Sequence, residues 1–191
     1  GSYSCMILDD GSISCWGKNE YGQLGDSTPD SNGDGILDTL LSYTPVDVDL
    51  PAGRIATSMS AITDSACAIL DDGSIYCWGR NNVGQLGDGS TTDSSTPVAV
   101  SMPTGRTAVQ IDARQQTVCA VMDDGSVYCW GYNGNYNLGC GSSNSFETTP
   151  CLISGLTASS VEVGYDHGCA IVTNPTDADR NVKCWGRNND G

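Results

Sequence analysis

The sequence contains little positive charge and almost no histidine. Its 191 residues include 8 lysine and arginine residues against 23 aspartate and glutamate residues, and the formal net charge is −15 at pH 7, with one histidine in the whole chain. A chain of this charge is repelled by phosphate backbones and by anionic lipid headgroups. Nucleic acid is therefore a poor candidate partner.

Long apolar runs are also missing. No stretch approaches the roughly 20 consecutive apolar residues that a membrane-spanning helix needs, and the N-terminus has no apolar segment typical of a secretion signal. We therefore expect no membrane insertion. Because the chain begins and ends inside repeats, we expect its natural termini to lie outside the given sequence, and the missing signal does not assign a compartment.

Four copies of one pattern recur along the chain. Three close copies occupy residues 5–17, 67–79 and 119–131, and a looser fourth runs from 169 to 186. Their tryptophans are 62, 52 and 55 residues apart, a period that suits a propeller blade of short strands and is too long for most helical solenoids. The period predicts an all-β fold, a β-propeller. The predicted units are repeat one at 1–62 with an insertion at 28–42, repeat two at 63–114, repeat three at 115–164, and a partial repeat four at 165–191.

Each close copy contains Asp-Asp-Gly-Ser between alternating apolar residues. This pattern is typical of a β-hairpin with a three-residue loop that ends in a left-handed glycine. In repeat two, a loop over residues 71–73 places Cys67 opposite Cys77. Such cysteines form a non-hydrogen-bonded pair, whose Cα atoms approach to about 4.5 Å, so the spacing predicts a cross-strand disulfide.

The ten cysteines indicate an oxidising compartment. The repeat register pairs eight of them across hairpins, and the remaining two lie in one loop. The predicted disulfides are Cys5–Cys15, Cys67–Cys77, Cys119–Cys129, Cys169–Cys184 and Cys140–Cys151. Zinc is the alternative, but structural zinc sites use short Cys-x2-4-Cys knuckles, and none occurs here. Local disulfides of this kind predict an extracellular or cell-surface protein.

Further elements recur in register with the cysteines. They are the Gly-x-x-His-x-x-Ala pattern of Gly164, His167 and Ala170, the Asp-Gly hairpin, the Trp-Gly pair, and Gly-Gln-Leu-Gly at 22–25 and 84–87. Over nearly the whole chain these elements resemble the repeats of the regulator of chromosome condensation family. The resemblance implies blades of a seven-bladed propeller, and the paired cysteines look like the variant found in secreted or surface-exposed prokaryotic members.

The chain departs from that family in two ways. The family histidine is present only as His167, with Tyr3, Ser65 and Thr117 at the matching positions, and repeat three has Tyr-Asn-Leu-Gly at 136–139 in place of Gly-Gln-Leu-Gly. Four hairpins are also too few for a seven-bladed ring. We therefore expect an incomplete ring of three to four blades, completed by further repeats or by another chain.

The insertion in repeat one carries a candidate calcium loop. Residues 30–38 resemble the Asp-x-Asn-x-Asp-Gly loops of EF-hand, dockerin and thrombospondin type 3 repeats, in which oxygen atoms at alternate positions surround the ion. The resemblance implies side-chain ligands at Asp30, Asn32 and Asp34, a carbonyl ligand at Ile36, and Asp38 directly or through water. The twelfth position is Leu41, where an EF-hand has glutamate, so binding is weak or an acid such as Asp26 substitutes. The alternative is a flexible polar loop.

The sequence contains no specific catalytic arrangement. The Asp-Asp pairs are expected to form turns, and one tryptophan per repeat is expected to pack in the core. His167 follows Asp166, but it occupies the family's structural position, where a side-chain hydrogen bond to a neighbouring strand is expected. No nucleophile elbow, phosphate loop or dinucleotide fingerprint occurs. We expect no enzymatic activity.

Three functions are therefore considered. The first is a non-catalytic extracellular or cell-surface module that binds a protein or a glycan through loops on the propeller rim, as the resemblance implies. The second is a structural subunit of an extracellular filament or surface array, in which incomplete propellers of several copies complete one another. The third is a secreted glycan-active enzyme, for which the sequence offers acidic and aromatic residues but no specific arrangement.

Isothermal titration with millimolar calcium tests the loop at 30–38. We expect heat of binding, because oxygen ligands at this spacing form a site for a hard cation. Asp34→Asn should reduce the affinity by removing one ligand charge, whereas Glu20→Gln, which removes a charge outside the loop, should not. A titration without heat contradicts the calcium site.

Overall fold

The computed structural model describes residues 3–27, 39–173 and 181–188. Every regular element within these ranges is a β-strand, and none of the described residues belongs to a helix able to cross a membrane. The strands are β1 (Tyr3–Ile7), β2 (Ile13–Lys18), β3 (Leu41–Asp47), β4 (Ala56–Ala61), β5 (Ser65–Leu70), β6 (Ile75–Gly79), β7 (Ser94–Ala99), β8 (Ala108–Arg114), β9 (Thr117–Met122), β10 (Ser126–Tyr132), β11 (Phe146–Val163), β12 (His167–Val172) and β13 (Val182–Gly186).

These strands form four consecutive antiparallel blades. Blade 1 contains β1-β2-β3 and blade 2 contains β4-β5-β6-β7. The long strand β11 belongs to two blades, because its first half pairs with β10 and its second half pairs with β12. Blade 3 is thus β8, β9, β10 and the first half of β11, and blade 4 is the second half of β11 with β12 and β13. This arrangement confirms the predicted all-β, incomplete propeller.

The hairpins have the register that the sequence predicts. Cys67 lies opposite Cys77, and Gly73 closes the loop with a φ of +77°. Asp72 fastens the turn, because its Oδ1 accepts hydrogen bonds from the Ser74 backbone N–H (3.0 Å) and the Ser74 hydroxyl (2.5 Å). The Asp-Asp pairs are therefore turn-forming residues, and their geometry explains why the hairpins of the first three repeats have the same length of loop.

Five disulfides join the cysteines in the same pairs that the repeat register predicts. In the four hairpin bridges the Cα atoms are 4.0 to 4.1 Å apart, and in Cys140–Cys151 they are 5.9 Å apart. No cysteine is free. Each hairpin bridge closes a short loop of the unfolded chain, which contributes on the order of 3 kcal/mol in the chain-entropy model.

Side chains link the innermost strands of neighbouring blades. These strands are β4, β8 and the second half of β11. Gln110 of β8 donates from Nε2 to the Val161 carbonyl (2.7 Å) and accepts at Oε1 from the Val161 N–H (2.8 Å). Asp112 accepts from the Val163 N–H (2.6 Å). The side-chain amide of Gln110 therefore joins blade 3 to blade 4 with two hydrogen bonds, as a backbone peptide group joins two strands of a sheet.

A tryptophan joins each blade to the loop of the blade before it. In three junctions the indole N–H donates to a backbone carbonyl in the turn that follows the preceding Trp-Gly strand. The three bonds are Trp78 to Gln23 (3.1 Å), Trp130 to Gln85 (3.1 Å) and Trp185 to Asn137 (2.9 Å). Trp78 and Trp130 are completely buried. The expected core role of the tryptophans is thus observed at the blade junctions.

The last glycine of Gly-Gln-Leu-Gly allows this close approach. Gly87 has a φ of +68°, and a Cβ atom there would lie 2.8 Å from Nε1 of Trp130. The turn is fixed from inside, because the buried Asn81 accepts at Oδ1 from the N–H of the buried Leu86 (3.0 Å). The last glycine of the turn is therefore required by the tryptophan of the next blade.

Gly87→Ala tests this junction, with Gly105→Ala as a matched control. Both glycines are left-handed, but an added Cβ at Gly105 meets no atom within 4 Å. The control should lose about 1–2 kcal/mol of unfolding free energy from backbone strain. Gly87→Ala should lose roughly 1–3 kcal/mol more, because the added methyl displaces the Trp130 indole. Chemical denaturation with intact disulfides measures both losses, and equal losses contradict the tight contact.

Candidate functional site

One end of the blades presents two sets of loops, which we call the loop face. The first set joins the two innermost strands of blades 2, 3 and 4, at residues 62–64, 115–116 and 164–166. The second set follows β2, β6 and β10 and reaches across to the next blade. Its contacts are the Tyr21 ring under the Arg80 guanidinium (4.6 Å), Asn82 with Gln116 (3.1 Å), and Asn135 with Asp166 (2.9 Å). The loop face is therefore held together by contacts between blades.

Tyr136 departs from the pattern of the other loops. By sequence register it occupies the position of Gly22 and Gly84, which have φ values of +78° and +75°, and Tyr136 keeps a φ of +57°. A Cβ at Gly22 would lie 2.4 Å from Cα of Ser95 in the outermost strand of the next blade. A tyrosine at this position is therefore incompatible with that packing and projects outward, with 69% of its surface exposed.

A second exposed tyrosine lies on the loop to which the Tyr136 loop is hydrogen-bonded. Asn135 precedes Tyr136 and donates from Nδ2 to Oδ1 of Asp166 (2.9 Å), which brings the neighbouring Tyr165 to the same border between blades 3 and 4. Tyr165 is 62% exposed. We call Tyr136 and Tyr165 the tyrosine edge. Two large side chains are thus exposed on loops that are hydrogen-bonded to each other.

The loop that carries Tyr136 is fixed by a disulfide at its end. Cys140 follows Leu138-Gly139, at the position that Asp26 and Asp88 occupy in repeats one and two. Asp88 holds its own loop by accepting at Oδ1 from the Ser90 N–H (2.9 Å). In blade 3 the bond Cys140–Cys151 ties the loop to β11 instead. A covalent link therefore replaces a hydrogen bond in the loop that leads away from the tyrosine edge.

A polar groove continues from Tyr165 along the inner ends of the blades. This open cleft has a volume of about 470 Å³ and is lined by Asp112, Arg114, Gln115, Glu162 and Tyr165, among others. Gln115, with a φ of +55°, is one of three described non-glycine residues in the left-handed region, the others being Tyr136 and Ser27. Non-glycine residues keep this strained conformation only where the surrounding structure supports it, and such residues cluster at functional sites. The groove and the tyrosine edge form one continuous surface.

Two arginine–aspartate ion pairs join loops of the loop face. Arg80 contacts Asp64 and Arg187 contacts Asp166, with N···O distances of 3.3 and 3.2 Å. Arg114 lines the groove and is exposed, and it makes no ion pair with another described residue. Because a guanidinium combines charge with a flat surface, Arg114 is suited to contact a partner.

The opposite end of the blades carries the Asp-Asp pairs, whose carboxylates are held within the hairpins. Arg106 contacts Asp124 (3.0 Å), and Arg54 contacts Asp72 (2.9 Å). Hydrogen bonds from the serine hydroxyl and backbone N–H two residues later hold the pKa of Asp10, Asp72 and Asp124 below its ordinary value. A lowered pKa keeps these carboxylates ionised at neutral pH, which suits a structural role and not that of a general acid.

The residues at the position of the family histidine differ in whether their side chains form a hydrogen bond. Thr117 makes the expected side-chain bond, because its hydroxyl donates to the Tyr132 carbonyl (3.0 Å). Tyr3 donates to the Ser65 carbonyl of the next blade, and burial raises its pKa well above the ordinary value. His167 is exposed, and its imidazole makes no hydrogen bond to a described residue. The bond expected for His167 is therefore absent from the described part of the chain.

The predicted metal ligands cannot be placed. Asp30, Asn32, Asp34, Ile36 and Asp38 lie outside the described residues, so calcium binding stays a prediction. Among the residues in the described ranges, no group of three or more His, Cys, Asp and Glu side chains is arranged to hold a metal ion. The sequence alone identifies one of the two residues of the tyrosine edge. Tyr136 departs from the Gly-Gln-Leu-Gly pattern, whereas nothing in the sequence distinguishes Tyr165.

The fold and the loop face define a segment of a propeller built from tandem repeats. Models of the regulator of chromosome condensation (RCC1) repeat match residues 72–121 and 124–171, and a second model of that repeat matches residues 1–23 and 109–137. The chain belongs to the regulator of chromosome condensation repeat family.

Individual relatives agree with this assignment. The E3 ubiquitin-protein ligase HERC2 of Homo sapiens is 28% identical over 190 residues, which are 98% of this chain and 4% of the relative. The structure of human WBSCR16 superposes with a TM-score of 0.82 at 20% identity, over 97% of this chain and 45% of that one. Yeast RCC1 (Prp20), solved bound to Kap60, gives a TM-score of 0.73 at 20% identity, over 85% of this chain and 38% of that one. This chain thus spans less than half the length of each of these proteins.

Proposed function

We propose that this chain is part of a non-catalytic, extracellular or cell-surface propeller that binds a protein partner through the tyrosine edge. The observation that carries the proposal is Tyr136, a large exposed side chain in a backbone conformation that repeats one and two give to glycine. The left-handed conformation costs a non-glycine residue about 1–2 kcal/mol. The backbone of Tyr136 is hydrogen-bonded within its loop as that of Gly84 is. Its side chain makes no hydrogen bond to a described residue, so a contact outside the chain best explains why a tyrosine is kept here.

The chemistry of the edge favours a protein partner. Tyrosine and arginine are enriched at the centres of protein interfaces, where a few rigid aromatic side chains supply most of the binding energy. Tyr136 and Tyr165 provide such side chains, and Arg114 borders the groove that begins at Tyr165. Loops on a rigid repeated scaffold are also the usual location of recognition.

The scaffold beneath the edge supports recognition without rearrangement. Two disulfides of blade 3, Cys119–Cys129 and Cys140–Cys151, fix the hairpin and the loop that carry Tyr136. A binding surface that is already ordered loses little conformational entropy on association. The same cysteines support an oxidising, extracellular location, because all ten are paired.

The comparisons support protein binding in general terms. Yeast RCC1, which shares the fold, has been solved with Kap60 bound to it. At 20% identity this likeness shows the fold alone. We therefore do not infer the partner of this chain from that of yeast RCC1. The proposal therefore rests on the tyrosine edge and not on the relatives.

Tyr136→Gly separates binding from stability. The variant installs the glycine of repeats one and two, so it should relieve backbone strain of about 1 kcal/mol and raise the melting temperature by roughly 2–4 °C. At the same time it should reduce partner retention at least about tenfold, as expected for an aromatic residue at the centre of an interface. Immobilised wild-type and variant protein are exposed to the extracellular proteins of the source organism, and the retained proteins are quantified by mass spectrometry.

The matched control is Val109→Ser, which removes an exposed apolar side chain at the other end of β8. It should leave retention unchanged, whereas Tyr165→Ser should lower it. Retention that is equal in all variants contradicts the proposal. Retention that depends on a glycan, and is lost after deglycosylation of the captured proteins, would replace the protein partner by a carbohydrate.

A further inference from the structure

Blade 3 has three cysteines in one row across its strands. Cys129 of β10 is the register partner of Cys119 in β9 and also of Cys151 in β11. In blades 1 and 2 the position of Cys151 is occupied by valine, at Val46 and Val98. We call Cys119, Cys129 and Cys151 the cysteine row. Its third member distinguishes blade 3 from blades 1 and 2.

The sheet geometry allows Cys129 to form a disulfide with either neighbour. The Cα atoms of Cys119 and Cys129 are 4.1 Å apart, which is the short distance of a non-hydrogen-bonded pair. The backbone N–H and carbonyl of Cys129 therefore point towards β11, so Cys129 and Cys151 are the hydrogen-bonded pair, whose Cα atoms lie about 5.5 Å apart. This distance is within the disulfide range, and register partners project from the same face of a sheet.

The two disulfides of blade 3 differ in how far they are buried. Cys119 and Cys129 are 0% exposed, whereas Cys140 and Cys151 are half-buried and pack against the same apolar cluster from its border. A dissolved thiol therefore has better access to the Cys140–Cys151 bond. The bond that it reaches ends on a cysteine that lies beside a second, buried bond.

We propose that Cys140 is a modification site for an external low-molecular-weight thiol. The external thiolate attacks Sγ of Cys140, forms a mixed disulfide with it and expels the Cys151 thiolate. The Cys151 thiolate attacks Sγ of Cys129, forms the Cys129–Cys151 bond and expels Cys119, which takes up the proton that the external thiol lost. Two disulfides and one thiol are present before and after the exchange, so no oxidant or reductant is consumed.

The second step is what retains the modification. If the Cys151 thiolate had no other disulfide within reach, it would attack the mixed disulfide and expel the external thiol. The exchange ends instead with a thiol at Cys119, in apolar surroundings where a cysteine is protonated and inert. Attack on the other sulfur, that of Cys151, releases the thiolate of Cys140, which lies outside the cysteine row and re-forms the original bond.

The exchange also frees the loop that carries Tyr136. Cys140–Cys151 is the bond that ties this loop to β11. After the exchange the loop is no longer tied, while Cys129–Cys151 still bridges two strands of blade 3. The inference goes beyond the proposed function, because the exchange follows from the cysteine row whatever the tyrosine edge binds.

Disulfide mapping after treatment with reduced glutathione tests the proposal. The native chain is incubated with limiting glutathione at neutral pH, quenched with acid, alkylated and digested in acid, and its peptides are identified by mass spectrometry. We expect glutathione on Cys140, a Cys129–Cys151 bond, and a Cys119 thiol that is alkylated only after unfolding.

The Cys169–Cys184 bond is the internal control for exposure. Cys184 is exposed, but the other register partner of Cys169 is Glu162, so a thiolate released there has no second disulfide beside it. Glutathione on Cys140 should exceed that on either of these two cysteines at least about tenfold, since their adducts are expelled again. Equal adducts at all exposed cysteines, or an adduct on Cys140 without the Cys129–Cys151 bond, overturn the proposal.

Two serine variants separate the steps. Cys140→Ser leaves the Cys151 thiol in the row, so the Cys129–Cys151 bond should form without any external thiol. Cys151→Ser leaves the Cys140 thiol outside the row, and Cys119–Cys129 should stay intact. A Cys140→Ser chain that keeps Cys119–Cys129 fully intact contradicts the second step. The binding assay of the tyrosine edge uses the untreated chain, so its outcome is independent of these results.

Discussion

The indole N–H of a tryptophan in one blade donates to a backbone carbonyl in the loop of the blade before it, and a glycine must lie under the ring. This contact recurs at three junctions, through Trp78, Trp130 and Trp185. It determines why the last residue of the turn must be glycine, where the buried asparagine must stand, and on which end of the blades the loops meet. The disulfides stabilise each hairpin, but the tryptophans set the position of one hairpin against the next.

The proposed binding surface lies where the packing beside this contact is altered. At the border of blades 3 and 4 the tryptophan contact is kept, yet Tyr136 replaces the glycine that elsewhere packs on the outermost strand of the next blade. The result is a strained, exposed tyrosine on a covalently fixed loop.

Local features of this chain were predictable because they depend on short stretches of sequence. The hairpin register follows from a three-residue loop with glycine in the left-handed region, and that register brings Cys67 opposite Cys77. The propeller follows from the period, and the membership of the repeat family from motifs that recur in register. The pairing of Cys140 with Cys151 followed by elimination once the hairpins had used the other cysteines.

Contacts between blades were not predictable from the same reasoning. The acceptor for Trp130 lies 45 residues away, and it is a backbone carbonyl, which no residue type in the sequence identifies. The continuous strand β11 replaces a linker that in the other repeats contains proline, glycine and arginine. Its membership of two blades is visible only from its pairing with β10 and with β12 in the folded chain. The departure at Tyr136 was visible, but its consequence depends on how close Gly22 lies to Ser95 in the folded chain.

Hydrogen exchange of the four tryptophan indole groups in the unmodified chain tests the central claim most directly. The account predicts that Trp78 and Trp130, which are buried and bonded to the preceding loop, exchange only through large-scale unfolding, and that Trp16 exchanges fastest. Equal exchange rates for all four indoles would contradict it, because the blades would then be held together by something other than the tryptophan and the loop carbonyl.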